Sequence, residues 1–175
     1  MHNLIILIGY RGVGKTTVGR RLADTLGYDF CDTDKAIVQL KNKEITEIVQ
    51  EEGWDRFRKL EKKILQSLGK LRQTVVATGG GAVLHQSEWE NLRKEGIVFW
   101  LTADKNILLE RIRRDSSTKG QRPSLTGADV MAETEQVLRL RAPLYASTAH
   151  HQIDTGRNDV EESVRKIQRL CVAAN

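Results

Sequence analysis

Leu4-Ile5-Ile6-Leu7-Ile8-Gly9-Tyr10-Arg11-Gly12-Val13-Gly14-Lys15-Thr16-Thr17 is the stretch that decides how the chain is read. Five consecutive apolar residues predict a buried strand, and the residues after Lys15 predict a helix. Between them lies G-x-x-x-x-G-K-[ST], the phosphate-cradling P-loop pattern. The strand before it and the helix after it distinguish it from a glycine-rich turn that binds nothing. Glycines at 9, 12 and 14 take backbone angles that a Cβ resists, so successive N–H groups can turn inward as an anion nest. The helix start adds its positive dipole end. Lys15 supplies a mobile charge for the outer phosphates, and the Thr16 hydroxyl suits Mg²⁺. Gly12, Val13, Gly14, Lys15, Thr16 and Thr17 form the predicted segment that binds a nucleoside triphosphate, ATP or GTP.

Composition narrows the class. A chain of 175 residues suggests one domain, 1–175. Its apolar fraction of 39% and charged fraction of 29% are those of an ordinary water-exposed globule. No apolar run approaches the ~18–20 residues of a membrane span, and the N-terminus lacks a signal-peptide pattern. A cytoplasmic protein without membrane partners is expected. Cys31 and Cys171 lie far apart and read as buried thiols in a reducing compartment, neither a disulfide nor a zinc site. The net charge of +5 is interleaved with acidic residues, and aromatics make up only 5%. That pattern argues against nucleic acid and suits an enzyme with small anionic substrates. No exposed hydrophobic seam is evident, so a monomer is expected.

Helical and strand patterns alternate, which predicts βαβ units and a parallel sheet. Strands are expected at residues 4–8, 28–31, 74–77, 97–101 and 152–153. Helices are expected at 17–26, closed by Gly27, at 35–41, at 46–71 with a break near Gly53, and at 86–95. Another helix follows Thr102 as its cap. Residues 115–128 are polar and aperiodic and read as a mobile loop. A helix from Val130 ends at Pro143, and an amphipathic helix spans 159–172. The architecture is an α/β P-loop sandwich with about five parallel strands.

Ligands in such folds bind beyond the carboxyl ends of the strands. Asp32 and Asp34 follow the second strand, and Gly79-Gly80-Gly81 follow the third. One of the two aspartates can face Mg²⁺ and the other a hydroxyl nucleophile. Equally, Asp34 can simply cap the next helix. Arg58 and Glu61 share a helix face and, unaided, read as a surface ion pair. Three consecutive glycines imply close approach of a ligand or of another backbone. Arg141 at a helix end suits the dipole. Arg122 in the polar loop is either a solvated charge or a cation that closes over phosphates.

Taken together, Gly9–Thr17, Asp32-Thr33-Asp34, Phe57-Arg58-Lys59-Leu60-Glu61, Gly79-Gly80-Gly81, Gln121-Arg122-Pro123 and Arg141-Ala142-Pro143-Leu144-Tyr145 resemble the shikimate kinase family in order and spacing. The resemblance covers nearly the whole chain. It implies ATP-dependent phosphorylation of the shikimate 3-hydroxyl, a step toward chorismate and the aromatic amino acids. It also implies a nucleoside monophosphate kinase-like fold with strand order 2-3-1-4-5 and a mobile lid at about 112–126. Lys15 then contacts the transferring phosphate, and Thr16 with Asp32 holds Mg²⁺. Asp34 faces the substrate hydroxyls as base or its assistant. Arg58 and Arg141 clamp the carboxylate beside the Gly80 backbone, and Arg122 matches the lid arginine. The catalytic set is Lys15, Asp34 and Arg122. Ser124-Leu125-Thr126-Gly127 departs from the Leu-Leu that follows the lid Arg-Pro in many members and resembles a subgroup with a longer lid. Arg113 or Arg114, and Arg157, are further candidates beside the adenine.

Two other readings fit the P-loop. A gluconate kinase also needs a carboxylate clamp, and a non-catalytic nucleotide-binding module needs none. The triple glycine and the R-x-P-L-Y segment favour the shikimate reading over the first. The joint presence of Asp34, Arg58 and Arg141 argues against the second.

Overall fold

The structure, a computed structural model, describes residues 3–114 and 130–173. The expected sheet is present: five parallel strands in the order β2-β3-β1-β4-β5. The strands are β1 Leu4–Ile8, β2 Asp29–Asp32, β3 Thr74–Ala77, β4 Ile97–Thr102 and β5 His151–Asp154. The helices are α1 Lys15–Leu26, α2 Thr33–Lys41, α3 Ile45–Leu68, α4 Gln86–Glu95, α5 Lys105–Arg114, α6 Val130–Thr148 and α7 Val160–Ala173.

β1 sets the layering. All five of its side chains are 0% exposed, so both faces need a cover. Alternation divides them. Ile5 and Leu7 join Val75, Phe99 and Leu101 beneath Val18 and Leu22 of α1 and Val164 and Ile167 of α7. Leu4, Ile6 and Ile8 join Val76 and Val98 beneath Leu65 and Leu68 of α3, Trp89 of α4 and Tyr145 of α6. Each large apolar side chain buried this way contributes about 1.5–3 kcal/mol. A third, smaller cluster of Ile37, Ile45, Ile48, Phe57 and Leu60 locks α2 to α3. It forms the base of the wall on which Arg58 is carried.

Several local expectations need correction. Pro143 does not end its helix, because α6 continues to Thr148. Proline removes one backbone donor but does not forbid helix on its C-terminal side. Arg141 and Tyr145, on either side of Pro143, are both anchored on Gly80, which carries the helix through. Arg141 is therefore inside a helix, and its helix-end explanation falls away. Thr102 does not cap α5. Its hydroxyl donates to the Ile153 carbonyl, and the Asp104 carboxylate accepts the Asn106 N–H at the helix start. Gly53 does break α3 as expected, with φ 79° and ψ 169°. Cys171 is buried, Cys31 only half-buried, and both are free thiols. From residue 115 onward the expected lid, with Arg122, lies outside the described residues; residues 112–114 belong to α5. No helix among the described residues is long and apolar enough to cross a membrane.

Gly9 couples the fold to the loop it starts. Its φ is +140°, and a Cβ there would overlap the Leu101 carbonyl oxygen of β4. β4 is an interior strand and has little room to yield. Gly9→Ala is expected to destabilise the protein by about 2–4 kcal/mol through overpacking and backbone strain. Urea unfolding of the two proteins measures it.

Candidate active site

The carboxyl ends of β1, β2 and β3 share one rim because the strands are parallel. Two adjoining cavities open there. The first, of about 500 Å³, is lined by the P-loop residues Gly12 to Thr17, by Asp32 and Thr78, and by Arg111, Thr155 and Asn158. The second, about 70 Å³ by the same measure, is lined by Asp34, Trp54, Arg58, Glu61, Arg141 and the three glycines. The wide cavity has nucleotide dimensions, and the narrow one is a small cleft between charged side chains and the glycine backbone.

In the P-loop cavity, Lys15 is 7% exposed, and its Nζ donates to the carbonyls of Gly9 at 2.7 Å and Tyr10 at 2.9 Å. The ammonium is held inside the loop, where phosphate oxygens can replace those carbonyls. The Thr16 hydroxyl donates to Asp32 Oδ2 at 3.0 Å. Asp32 Oδ1 accepts the N–H groups of Asp34 and Lys35, so Asp32, not Asp34, caps α2. Thr155 was not among the expected residues. Its hydroxyl donates to the Val13 carbonyl, and its own carbonyl accepts Arg111 Nη2. Neither Arg113, Arg114 nor Arg157 lines this cavity; Arg111 does. Arg114 and Arg157 are exposed and paired with Glu110 and Asp154. The signal for Arg111 was its place between Leu108 and Ile112, the α5 face that meets Gly12.

The triple glycine sorts charge in the second cavity. A Cβ on Gly79 would stand 2.5 Å from Asp34 Oδ1 and 2.9 Å from Glu61 Oε1. A Cβ on Gly81 would overlap the Arg58 guanidinium. The Gly80 carbonyl accepts Arg141 Nη1 at 3.0 Å and the Tyr145 hydroxyl at 2.6 Å. Asp34 thus lies at the Gly79 end of the segment and the Arg58 guanidinium at the Gly81 end, with Arg141 on Gly80 and Glu61 reaching from Gly79 to pair with Arg58. The Gly79 N–H donates to the buried Thr33 hydroxyl, which ties α2 to this segment. Burial pushes the Tyr145 phenol up to about 12, so it remains a donor at neutral pH.

Glu61 is the residue that sequence reasoning undervalued. It is 1% exposed, not a surface charge. Its Oε2 takes Arg58 Nη1 at 2.6 Å and His85 Nε2 at 3.0 Å. Burial favours its neutral form, but the bond from His85 and the charge and bond of Arg58 outweigh burial and hold its pKa below the usual 4.5. Its Oε1 is buried with no hydrogen-bond partner among the described residues. Arg58 also lies 5.3 Å from the ring centres of Trp54 and Phe57, which fixes the plane of its fork.

A sequence model of the shikimate kinase family matches residues 11–171. The chain belongs to the shikimate kinase family. Shikimate kinase 2 of Yersinia enterocolitica is 45% identical over 170 residues, covering 97% of this chain and 96% of that protein. The shikimate kinase of Acinetobacter baumannii, solved in complex with shikimate, superimposes with a TM-score of 0.91 at 34% identity over 100% of this chain and 96% of its own. A gluconokinase from Sinorhizobium meliloti, covered over 95% of its length and 98% of this chain, reaches 0.62 at 20% identity and shares the fold alone. The family assignment agrees with the charge-sorted cavity and sets aside a non-catalytic nucleotide module.

Glu61→Gln removes the charge facing Arg58 and His85. A loss of about 3 kcal/mol at pH 7 is expected, as when one partner of a buried pair is removed. Because folding lowers the Glu61 pKa, the wild-type advantage is full above about 4.5 and declines as pH falls through the lower folded value. Chemical denaturation at pH 7 and again below pH 4 checks both the size and the sign.

Proposed function

We propose that the P-loop cavity takes MgATP and the triple-glycine cavity takes shikimate, with the γ-phosphoryl group passing to the 3-hydroxyl. The products are shikimate 3-phosphate and ADP, in the route to chorismate and the aromatic amino acids. The observation that carries this reading is the sorting of charge along Gly79–Gly81. Shikimate has a carboxylate at one end and three hydroxyls at the other. Arg58 and Arg141 suit the carboxylate, since planar forks fix orientation as well as charge. Asp34 and the Glu61 Oε1, which has no hydrogen-bond partner among the described residues, suit hydroxyl donors.

The transfer follows from this placement. The 3-hydroxyl oxygen attacks the γ-phosphorus, and the bond from that phosphorus to the bridging oxygen breaks, leaving the electron pair on ADP. The hydroxyl proton passes to Asp34 as the new P–O bond forms. Lys15 exchanges the Gly9 and Tyr10 carbonyls for phosphate oxygens. Thr16 and Asp32 would hold Mg²⁺, being two hard oxygen donors already within 3.0 Å of each other. Bound there, the ion would neutralise charge on the β- and γ-oxygens. Arg122 is assigned to the phosphates by resemblance alone. A monomer is the proposed state, and an ATP donor supports a cytoplasmic site of action.

A coupled ADP-release assay with shikimate, with gluconate as the comparison acceptor, tests the reading; no ADP at millimolar shikimate would sink it. Asp34→Asn is expected to lower kcat by at least about 100-fold while ATP affinity stays within two-fold. Arg141→Lys is expected to raise the shikimate KM at least about ten-fold with little change for ATP; an unchanged shikimate KM would remove the carboxylate clamp.

A further inference from the structure

Arg11 alone, among the described residues, lines both cavities. It is the third residue of the P-loop, and Gly80 of the acceptor wall packs against its backbone, the nearest approach being 3.6 Å from a Cβ built on Gly80 to Arg11 N. Its Nη2 donates to Glu133 Oε1 of α6 at 2.9 Å, and that carboxylate is 1% exposed. Its Nε is buried and has no hydrogen-bond partner among the described residues. The stem is fixed as well. The Arg11 guanidinium lies 5.7 Å from the centre of the Tyr10 ring, and the buried Tyr10 hydroxyl donates to Thr134, next to Glu133.

We propose that Arg11, positioned by Glu133, contacts the phosphoryl group as it crosses from ATP to the acceptor, as a further cation beside Lys15, Mg²⁺ and the Arg122 assigned by resemblance. The proposal rests on the assignment of the two cavities given above. Two cavities that share one residue share it where their contents meet, and there the transferring group passes. In phosphoryl transfer the charge spreads over three equatorial oxygens, which a planar fork can span and a point charge cannot. Glu133 serves as a fixed anchor that holds the fork at the boundary. The Nε, which has no hydrogen-bond partner among the described residues, supplies a donor for that group.

Arg11→Gln and Arg11→Lys are compared with wild type in steady-state turnover, and binding of ADP, of shikimate, and of ADP with aluminium fluoride plus shikimate is titrated separately. In Arg11→Gln, kcat is expected to fall about 100-fold. Affinities for ADP and for shikimate stay within three-fold, and affinity for the aluminium fluoride complex falls with kcat. Arg11→Lys recovers part of the turnover. A kcat within three-fold of wild type overturns the proposal. So does a loss of ADP or shikimate affinity that matches the loss of turnover, the signature of a merely structural role. If Arg11→Gln does not fold, the same measurements on Arg11→Lys decide, with at least a ten-fold selective loss expected and an undiminished kcat contradicting it. Wild type that leaves shikimate unphosphorylated overturns the cavity assignment along with the proposal, whereas normal wild type with normal variants overturns only the role of Arg11.

Discussion

β1 cannot be solvated on either face, and most of the molecule follows from that constraint. Leu4 to Ile8 are wholly buried, so strands must flank β1 and helices must cover both sides. Parallel strands with helical crossovers meet that need and bring every strand's carboxyl end to one rim. The P-loop, Asp32 and the triple glycine therefore converge although they are far apart in sequence. The candidate site lies where the buried sheet runs out and backbone donors and charged side chains take over.

Charge at that rim is held at short range by buried partners. Glu61 fixes Arg58, Glu133 fixes Arg11, and the Gly80 carbonyl fixes Arg141. Unpaired, three guanidiniums in so small a space would repel one another and order poorly. Each instead has an acceptor that sets its direction while leaving other donors of its fork available. Preorganised donors of this kind act on developing charge without reorganising during the reaction. Gly79 and Gly81 make this possible by surrendering the volume that the carboxylates and the Arg58 guanidinium occupy.

What the sequence made legible was mostly local or periodic. The P-loop, the strand and helix pattern, the break at Gly53 and the strand-end residues could all be read from spacing. The role of Glu61 could not, because an i,i+3 pair has the same spacing whether buried or exposed. Its burial depends on His85 and the third core cluster, which only the assembled fold brings together. The capping role of Asp32 over Asp34 depends on where α2 begins, a boundary that periodicity places to within a few residues. The continuation of α6 through Pro143 depends on tertiary anchors to Gly80 that no local rule contains. Arg111 and Thr155 reach the P-loop cavity from the far half of the chain, so their relevance appears only with the strand order.

The proposed placement sets the shikimate carboxylate and its reacting hydroxyl at opposite ends of one cavity beside the P-loop. A crystal structure of the protein with ADP and shikimate tests it most directly. The shikimate carboxylate is expected between Arg58 and Arg141, with the 3-hydroxyl within hydrogen-bond distance of Asp34 and facing the P-loop. A carboxylate turned toward Asp34, or shikimate bound outside the Gly79–Gly81 wall, would contradict it.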